Sequence, residues 1–468
     1  MSTNHNLLKV IEKTKPLIEG GKFNVALRRL RDVVKKYPNE SYLLAYIAFV
    51  SQRAGKDRLA ADYYLQALKF DSHNASYLFN YGVLLYGMRK FTKGLKYVES
   101  ALNYEKNSFY FLTYAKFLYN SGYTKKAEKY LNLAEKLDTS KNEIRTEISW
   151  NKSHVYLRQG KLDLGWKYFE SRLNFRNAER THEPMKSMKI LKGEIPEWRG
   201  ENLNNKTIII NDEQGFGDTI QFSRYILALG EKYKNINVNF ICKKELYRLF
   251  DFMPEFIKVY YREGNNDVIE KITGDFHAFL MSIPIYFEKN YESIYSKYPY
   301  ITSEGIEKDY PFIVKDKFNV GISWTGSNIN PNDANRSINS LELLEPILSI
   351  KNINFISFQI GNSHVALEES INMKEISNYV EDFKDSLNII KKLDLIITID
   401  TALAHLAGAA NIPCWVLLPK IATDWRWGEN LKQCPWYKSL KIYKQESPDD
   451  WSVPINLVAR EIRQNFKI

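Results

Sequence analysis

Gly215, Gly217 and Asp218 fall within IIINDEQGFGDTIQFSRY, residues 208–225. An apolar run there gives way to a glycine-bearing turn and then to an amphipathic helical pattern. Such a strand-to-helix junction aims backbone N–H groups and the positive end of a helix dipole at one spot, which favours an anion. The two glycines admit positive φ and close approach of the main chain. Asp218, on the first helical turn, has two readings. It is a general base able to take a proton from a hydroxyl, or it caps the helix. A second junction, LIITIDTALAHLAGAA, spans residues 395–410. Asp400 ends its apolar run. The N–H groups of Thr401 and Ala402, with the Thr401 hydroxyl, suit a phosphate. His405 follows Thr401 by one helical turn, so it either donates to a ligand oxygen or packs inside an apolar helix. Two such junctions in one chain suggest a diphosphate-bearing ligand held between two α/β halves.

Three other loops carry polar groups. In SWTGSNINPNDANRS, residues 323–337, Thr325, Gly326 and Ser327 suit phosphate or ribose contacts, and Arg336 can grip a phosphate with two N–H groups. Gln359 and Gly361 end a further apolar run. DWRWG places Trp425, Arg426 and Trp427 in an apparent loop. Aromatics there either form a wall of the site or simply pack.

What is missing narrows the chemistry. The chain has no GxxxxGK[ST], no Asp-x-Asp and no HExxH, and GFGD does not complete GxGxxG. Helix dipoles and basic side chains, rather than a chelated metal, are expected to hold a diphosphate, and no cofactor is expected. The net charge of +11 is spread thinly, without a dense basic block, so nucleic acid is not an expected partner. Cys242, Cys414 and Cys434 make no metal or redox spacing. Cys242 and Cys414 sit in strand-like runs and are expected to be buried thiols of a cytoplasmic protein. MSTNHNLLKV is too polar for a leader, and Asp400, His405, Asn411 and Pro413 break the most apolar stretch, so no membrane span is expected.

These loops need scaffolds. β-rich runs at 207–211, 238–242, 258–261 and 278–283, then at 319–324, 354–359, 395–400 and 413–418, predict two parallel-stranded α/β domains. Their expected bounds are 207–316 and 317–468, the latter ending in a helix, after a linker at 174–206. The first 173 residues repeat. Small residues recur at Ala26, Ala60, Gly94, Ala127 and Gly165, at intervals of 34, 34, 33 and 38. Thr14, Ala48, Gly82, Ala115 and Ser153 precede them by twelve residues in each unit. This phase predicts helix pairs touching at small residues, and it resembles tetratricopeptide repeats. The expected fold is thus a helical solenoid followed by two Rossmann-like domains. Tyr42, Phe49, Arg53, Phe79, Tyr86, Lys116, Tyr119 and Asn120 are placed on the concave face. They serve either a groove for a peptide or partner protein, or packing between repeats.

GKLDLGWKYFESRL, PEWRGENLNNKTIII, DEQGFGDTIQFSRY, WTGSN, NDANRS, DTALAHLAGA and DWRWG occur in this order. Together they resemble bacterial tetratricopeptide-repeat glycosyltransferases, whose GT-B catalytic part is akin to heptosyltransferases and, remotely, to O-linked N-acetylglucosamine transferase. The resemblance implies a metal-independent transferase using a nucleotide-sugar. Asp218 would be its base, and Thr401, Ala402 and His405 would attend the diphosphate. The implied acceptor is a Ser or Thr hydroxyl of a protein, flagellin being one candidate. Transfer to a lipid-linked or surface glycan, and a non-catalytic scaffold, are the alternatives. The heptosyltransferase lysine of the 325–336 loop has no obvious counterpart, leaving Arg336 as the candidate replacement.

Overall fold

The computed structural model describes residues 2–139, 143–174, 195–262, 272–302, 308–327, 329–360, 373–429 and 433–465. Gly361 and most of the expected linker, residues 175–194, lie outside them. The chain divides into two compact units, Met1–Asn151 and Lys152–Ile468.

The first unit is built from helices α1 (Ser2–Glu19), α2 (Phe23–Lys36), α3 (Ser41–Arg53), α4 (Asp57–Phe70), α5 (Ala75–Gly87), α6 (Phe91–Ala101), α7 (Ser108–Asn120) and α8 (Thr124–Leu137). They pack in sequential pairs, α3 on α4, α5 on α6 and α7 on α8. The phased small residues are the contacts: Ala26, Ala48, Ala60, Ala115 and Ala127 are fully buried. A Cβ added to Gly94 would lie 2.8 Å from the Gly82 carbonyl oxygen, so these two backbones touch. Asn74 and Asn107 cap α5 and α7 by accepting the N–H of Tyr77 and Tyr110. This is a tetratricopeptide-like arrangement of stacked helix pairs.

Helix α9 (Glu143–Arg158) leads into α10 (Leu162–Phe169). The two units divide at 151/152, inside α9, rather than at 173, and buried polar side chains tie α10 and the turn after it into the second unit. The Trp166 indole N–H donates to Glu288 Oε2 at 2.6 Å. Arg172 grips both oxygens of Glu213, at 2.8 and 2.7 Å.

The second unit holds two sheets. The strands β1 (Thr207–Asn211), β2 (Asn237–Cys242), β3 (Ile257–Tyr261) and β4 (Phe276–Phe279) form one, in the order β3-β2-β1-β4. The strands β5 (Phe318–Ser323), β6 (Ile353–Ser357), β7 (Met373–Glu375), β8 (Leu395–Ile399), β9 (Cys414–Leu418) and β10 (Leu440–Lys444) form the other, in the order β10-β9-β8-β5-β6-β7. Neighbours pair in parallel throughout. Counted from β5, the second order is 3-2-1-4-5-6, that of a doubly wound α/β fold. Its core gathers Val320, Ile322, Phe355, Ile397 and Leu417 with Ile455, Val458 and Ile462. The last three come from the closing helix (Ser452–Asn465).

Candidate functional site

In a doubly wound sheet, the crevice where strand order reverses opens at the carboxyl ends of the strands. Here that point lies between β5 and β8, flanked by the Thr325 loop and the Asp400–Thr401 turn. The first sheet supplies α11 (Phe216–Phe222) and α12 (Arg224–Lys232) after β1. The second supplies α13 (Phe383–Ile390) and, after β8, α14 (Ala402–Ala409).

The turn before α11 differs from expectation in one respect. Gly215 has φ −90°, and the left-handed residue is Gln214, at φ 60°. Space, not φ, demands glycine at 217. An added Cβ there would sit 2.7 Å from His405 Cδ2 and 3.4 Å from Ala402 Cα. The two strand-to-helix junctions therefore meet face to face, α11 against α14.

Asp218 is occupied at both oxygens. Oδ2 accepts the Gly215 N–H at 2.8 Å, so the capping role is present. Oδ1 takes an ion pair from Arg426 Nη2. Burial raises the Asp218 pKa above the ordinary carboxylate value, and Arg426 and the Gly215 N–H oppose that rise. Arg426 also binds Asp424 Oδ1 at 3.0 Å and Gln221 Oε1 at 2.7 Å. The Asp400 carboxyl is pushed up to about 6, first by burial and then by Asp424. Asp424 moves the other way and stays ionised, since Arg426 offsets its burial.

Arg336 donates to the Asp400 carbonyl at 2.8 Å from Nη1, and its Nε reaches Asp333 at 3.3 Å. Its guanidinium lies against Gly326, where a Cβ would clash with it. The Thr401 hydroxyl shares a 3.0 Å hydrogen bond with that of Thr398. His405 is buried, and its Nδ1 lies 2.9 Å from the Tyr437 hydroxyl. Burial, then Arg426, drive its pKa down to about 3, so the ring is neutral. Burial keeps the Tyr437 phenol protonated. We assign the phenol as donor to Nδ1, which puts the imidazole proton on Nε2.

Asp218, Gly217, Arg336, Asp400, Thr401, Ala402, His405 and Arg426 thus form one linked constellation. Gln359 serves a different end. Its Oε1 accepts the N–H groups of Trp324 and Thr325, at 3.2 and 3.0 Å, and its Nε2 donates to the Thr325 carbonyl. It shapes the turn after β5 and leaves Thr325 partly engaged. Trp425 is no cleft wall. It is 2% exposed and meets Trp166 and Trp436 edge-on, deep in an aromatic cluster. Trp427 stacks on His405 at 5.8 Å.

Two groove candidates also move. Phe79 stacks flat on Tyr110 at 4.0 Å, and Tyr86 on Phe117 at 3.8 Å. Both are buried between successive repeats, each covered by an aromatic ring of α7. Tyr42 and Phe49 remain exposed, at 49% and 42%. Lys116 is exposed and pairs with Glu147 at 3.3 Å, and Tyr119 is half-buried.

Asp212, Glu213 and Arg224, inside the first motif, are buried charges not among the expected site residues. Asp212 and Glu213 continue buried from the end of β1. Asp212 is bound by Arg262, by Lys243 Nζ at 3.3 Å and by the Thr219 hydroxyl at 3.3 Å. Arg224 is fully buried in a cage. It donates to Tyr298 Oη, the Trp436 carbonyl and Tyr300 Oη at 3.0, 3.0 and 3.1 Å. The Tyr300 and Tyr437 rings lie 4.7 and 4.9 Å away. The signal for the first two is the polar Asn211-Asp212-Glu213 run that closes a buried strand, which demands partners elsewhere.

No described helix is long and apolar enough to cross a membrane. Among the described residues no group of three His, Cys, Asp or Glu is placed to hold a metal. The three cysteines are buried free thiols. No family model matches the sequence. Protein FlbA of Caulobacter vibrioides is 23% identical over 348 residues, covering 68% of this chain. The chain spans only about half of that relative, 55% of its length. Solved structures overlap with low TM-scores. PilF of Pseudomonas aeruginosa gives 0.33 at 18% identity, over 42% of this chain and 96% of its own. MamA from Desulfovibrio magneticus gives 0.31 at 14%, over 37% and 95%. YrrB, described as a TPR protein with an unusual peptide-binding site, gives 0.28 at 19%, over 30% and 72%.

Proposed function

We propose that residues 152–468 form a GT-B-type glycosyltransferase that moves a sugar from a nucleotide-sugar to a hydroxyl. The meeting of the two strand-to-helix junctions carries this reading. Gly217 lies against Ala402 and His405 while Arg426 holds Asp218. A candidate base and a candidate diphosphate cradle then share one crevice.

The donor diphosphate binds at the start of α14, on the Thr401 and Ala402 N–H groups, with Arg336 and Arg426 balancing its charge. His405, held neutral, donates from Nε2 to a ligand oxygen. The acceptor hydroxyl gives its proton to Asp218 and its oxygen attacks the anomeric carbon. The bond from that carbon to the diphosphate oxygen breaks, and the nucleoside diphosphate leaves with the electron pair. Burial of Asp218 suits this role, because it raises the carboxylate's proton affinity. For this to happen Arg426 turns from Asp218 toward the arriving phosphate. The leaving group is stabilised by side chains and N–H groups, so no metal or other cofactor is invoked. The acceptor is a protein Ser or Thr, presented with help from the repeats, as the resemblance to repeat-bearing transferases suggests. Peptide or protein recognition is the role proposed for the repeat unit. Buried free thiols suit a cytoplasmic setting.

One observation favours a second reading, a scaffold without catalysis: both Asp218 oxygens are already engaged. Purified protein incubated with a panel of nucleotide-sugars separates the two. The transferase releases nucleoside diphosphate, faster with acceptor and unaffected by EDTA. No release with any donor sinks the transferase reading. Release that depends on added Mg²⁺ or Mn²⁺ sinks the metal-free mechanism. Transfer to a lipid-linked or surface glycan instead of protein would reassign the acceptor.

A further inference from the structure

The carboxyl ends of β9 and β10 carry a second cluster of cations, two strands away from the β5–β8 crevice. Leu418 and Lys444 are register partners at the ends of these strands, and Lys420 follows two residues later. Gln445 ties the ends together. Its N–H donates to the Leu418 carbonyl at 3.0 Å, and its Oε1 accepts the Lys420 N–H at 3.0 Å. Gln445 is 3% exposed, yet its amide nitrogen has no hydrogen-bond partner among the described residues. A buried donor of this kind is costly to leave unmet.

Both lysines are half-buried. Among the described residues neither ammonium lies within ion-pair distance of a carboxylate. Lys444 faces the cations Arg158 and Lys420 as well as Glu429. Burial, then Arg158 and Lys420, lower the Lys444 pKa to about 8, with Glu429 opposing. Like charges held together with an unmet N–H donor are a complement lacking its anion.

We propose that Lys420, Lys444 and the Gln445 amide form an oxyanion-binding subsite, for a phosphate- or carboxylate-bearing group. It stands apart from the nucleotide-sugar reading, which uses the β5–β8 edge. Acylation of lysines at pH 8, followed by mass spectrometry, tests it on the full chain. Lys441, on the same strand but paired with Glu461, is the internal control. Bound anion raises the Lys444 pKa and removes its reactive free amine. Inorganic phosphate should slow Lys444 acylation at least about fivefold and leave Lys441 unchanged. A parallel arm with glutarate distinguishes a phosphate from a carboxylate source, and protection by either supports the site. Unchanged rates with both anions overturn it. Protection that vanishes in Arg336→Gln also overturns it, because the anion would then be acting from the other crevice. As a check free of labelling, phosphate should raise the melting temperature of the parent but not of Lys420→Gln/Lys444→Gln. An equal rise in both contradicts the proposal.

Discussion

Glu288 offers a sharp test of the buried architecture. It is 1% exposed, its Oε2 accepts from Trp166, and its Oε1 has no hydrogen-bond partner. Burial pushes its pKa from 4.5 up to about 8, against the smaller pull of Trp166 and Arg224. The folded carboxyl keeps its proton at neutral pH while the unfolded one loses it. A raised folded pKa means stability that is full below about 4.5 and drains as pH climbs toward 8. Each pH unit in that window costs ~1.4 kcal/mol, so between pH 5 and pH 8 the loss is at most roughly 4 kcal/mol. Glu288→Gln still accepts from Trp166 and cannot ionise. Its stability relative to the parent should therefore climb with pH, whatever the offset at pH 5. At ~1–2 °C per kcal/mol for a unit this large, the melting-temperature difference should shift by roughly 4–8 °C toward the variant. Asp400 and His405 titrate in both proteins, so comparison of parent and variant cancels them. Scanning calorimetry at four pH values from 5 to 8 provides the readout. A difference independent of pH, or one moving toward the parent, would show that Glu288 is ionised in the fold and refute the reasoning.

Asp218→Asn should keep nucleotide-sugar affinity and lower turnover by roughly 10²–10⁴-fold, as measured by donor titration and steady-state rates. Undiminished turnover would leave Asp218 only its cap and its ion pair. Gly217→Ala forces a methyl onto His405, so it should destabilise the second unit by about 1–3 kcal/mol and reduce transfer. An unchanged melt and rate would mean that the two junctions do not touch. Phe79→Ala should cost about 3–5 kcal/mol in the repeat unit, whereas Tyr42→Ala should cost under ~1 kcal/mol. Equal melts for the two variants would contradict the assignment of Phe79 to packing.

The repeat phase was legible because it rests on size. Ala26, Ala60 and Ala127 sit where two helices cross, and only small side chains fit there. A second marker of the repeat is the left-handed turn residue. Gly21, Gly55, Gly122 and Gly160 all have positive φ at the turn inside a pair, with Arg89 in the equivalent place at φ 63°. That arginine, in a conformation that favours glycine, hid the series. Strands β1 and β8 were readable as apolar runs that end in polar turns. Strand β7 is only Met373–Glu375, and β10 reads Leu-Lys-Ile-Tyr-Lys without a continuous apolar run, so neither stands out. The partners of buried charges could not be read. Nothing local to Arg426 names Asp218, 208 residues away, and nothing near Arg172 names Glu213. Phe79 and Tyr86 were misplaced for a related reason: helical phase gives a face, while a flat neighbouring ring decides whether that face is covered.

The Arg224 cage also limits how the molecule can move. A clamshell opening of the two sheets would pull the guanidinium from the Trp436 carbonyl and off the Tyr437 ring. Those contacts are costly to break, since one buried charged hydrogen bond alone is worth ~1.5–3 kcal/mol. The cage therefore favours side-chain and loop displacement at the rim over hinge opening of the two sheets. Amide exchange should then be fast in the loops and slow in α12.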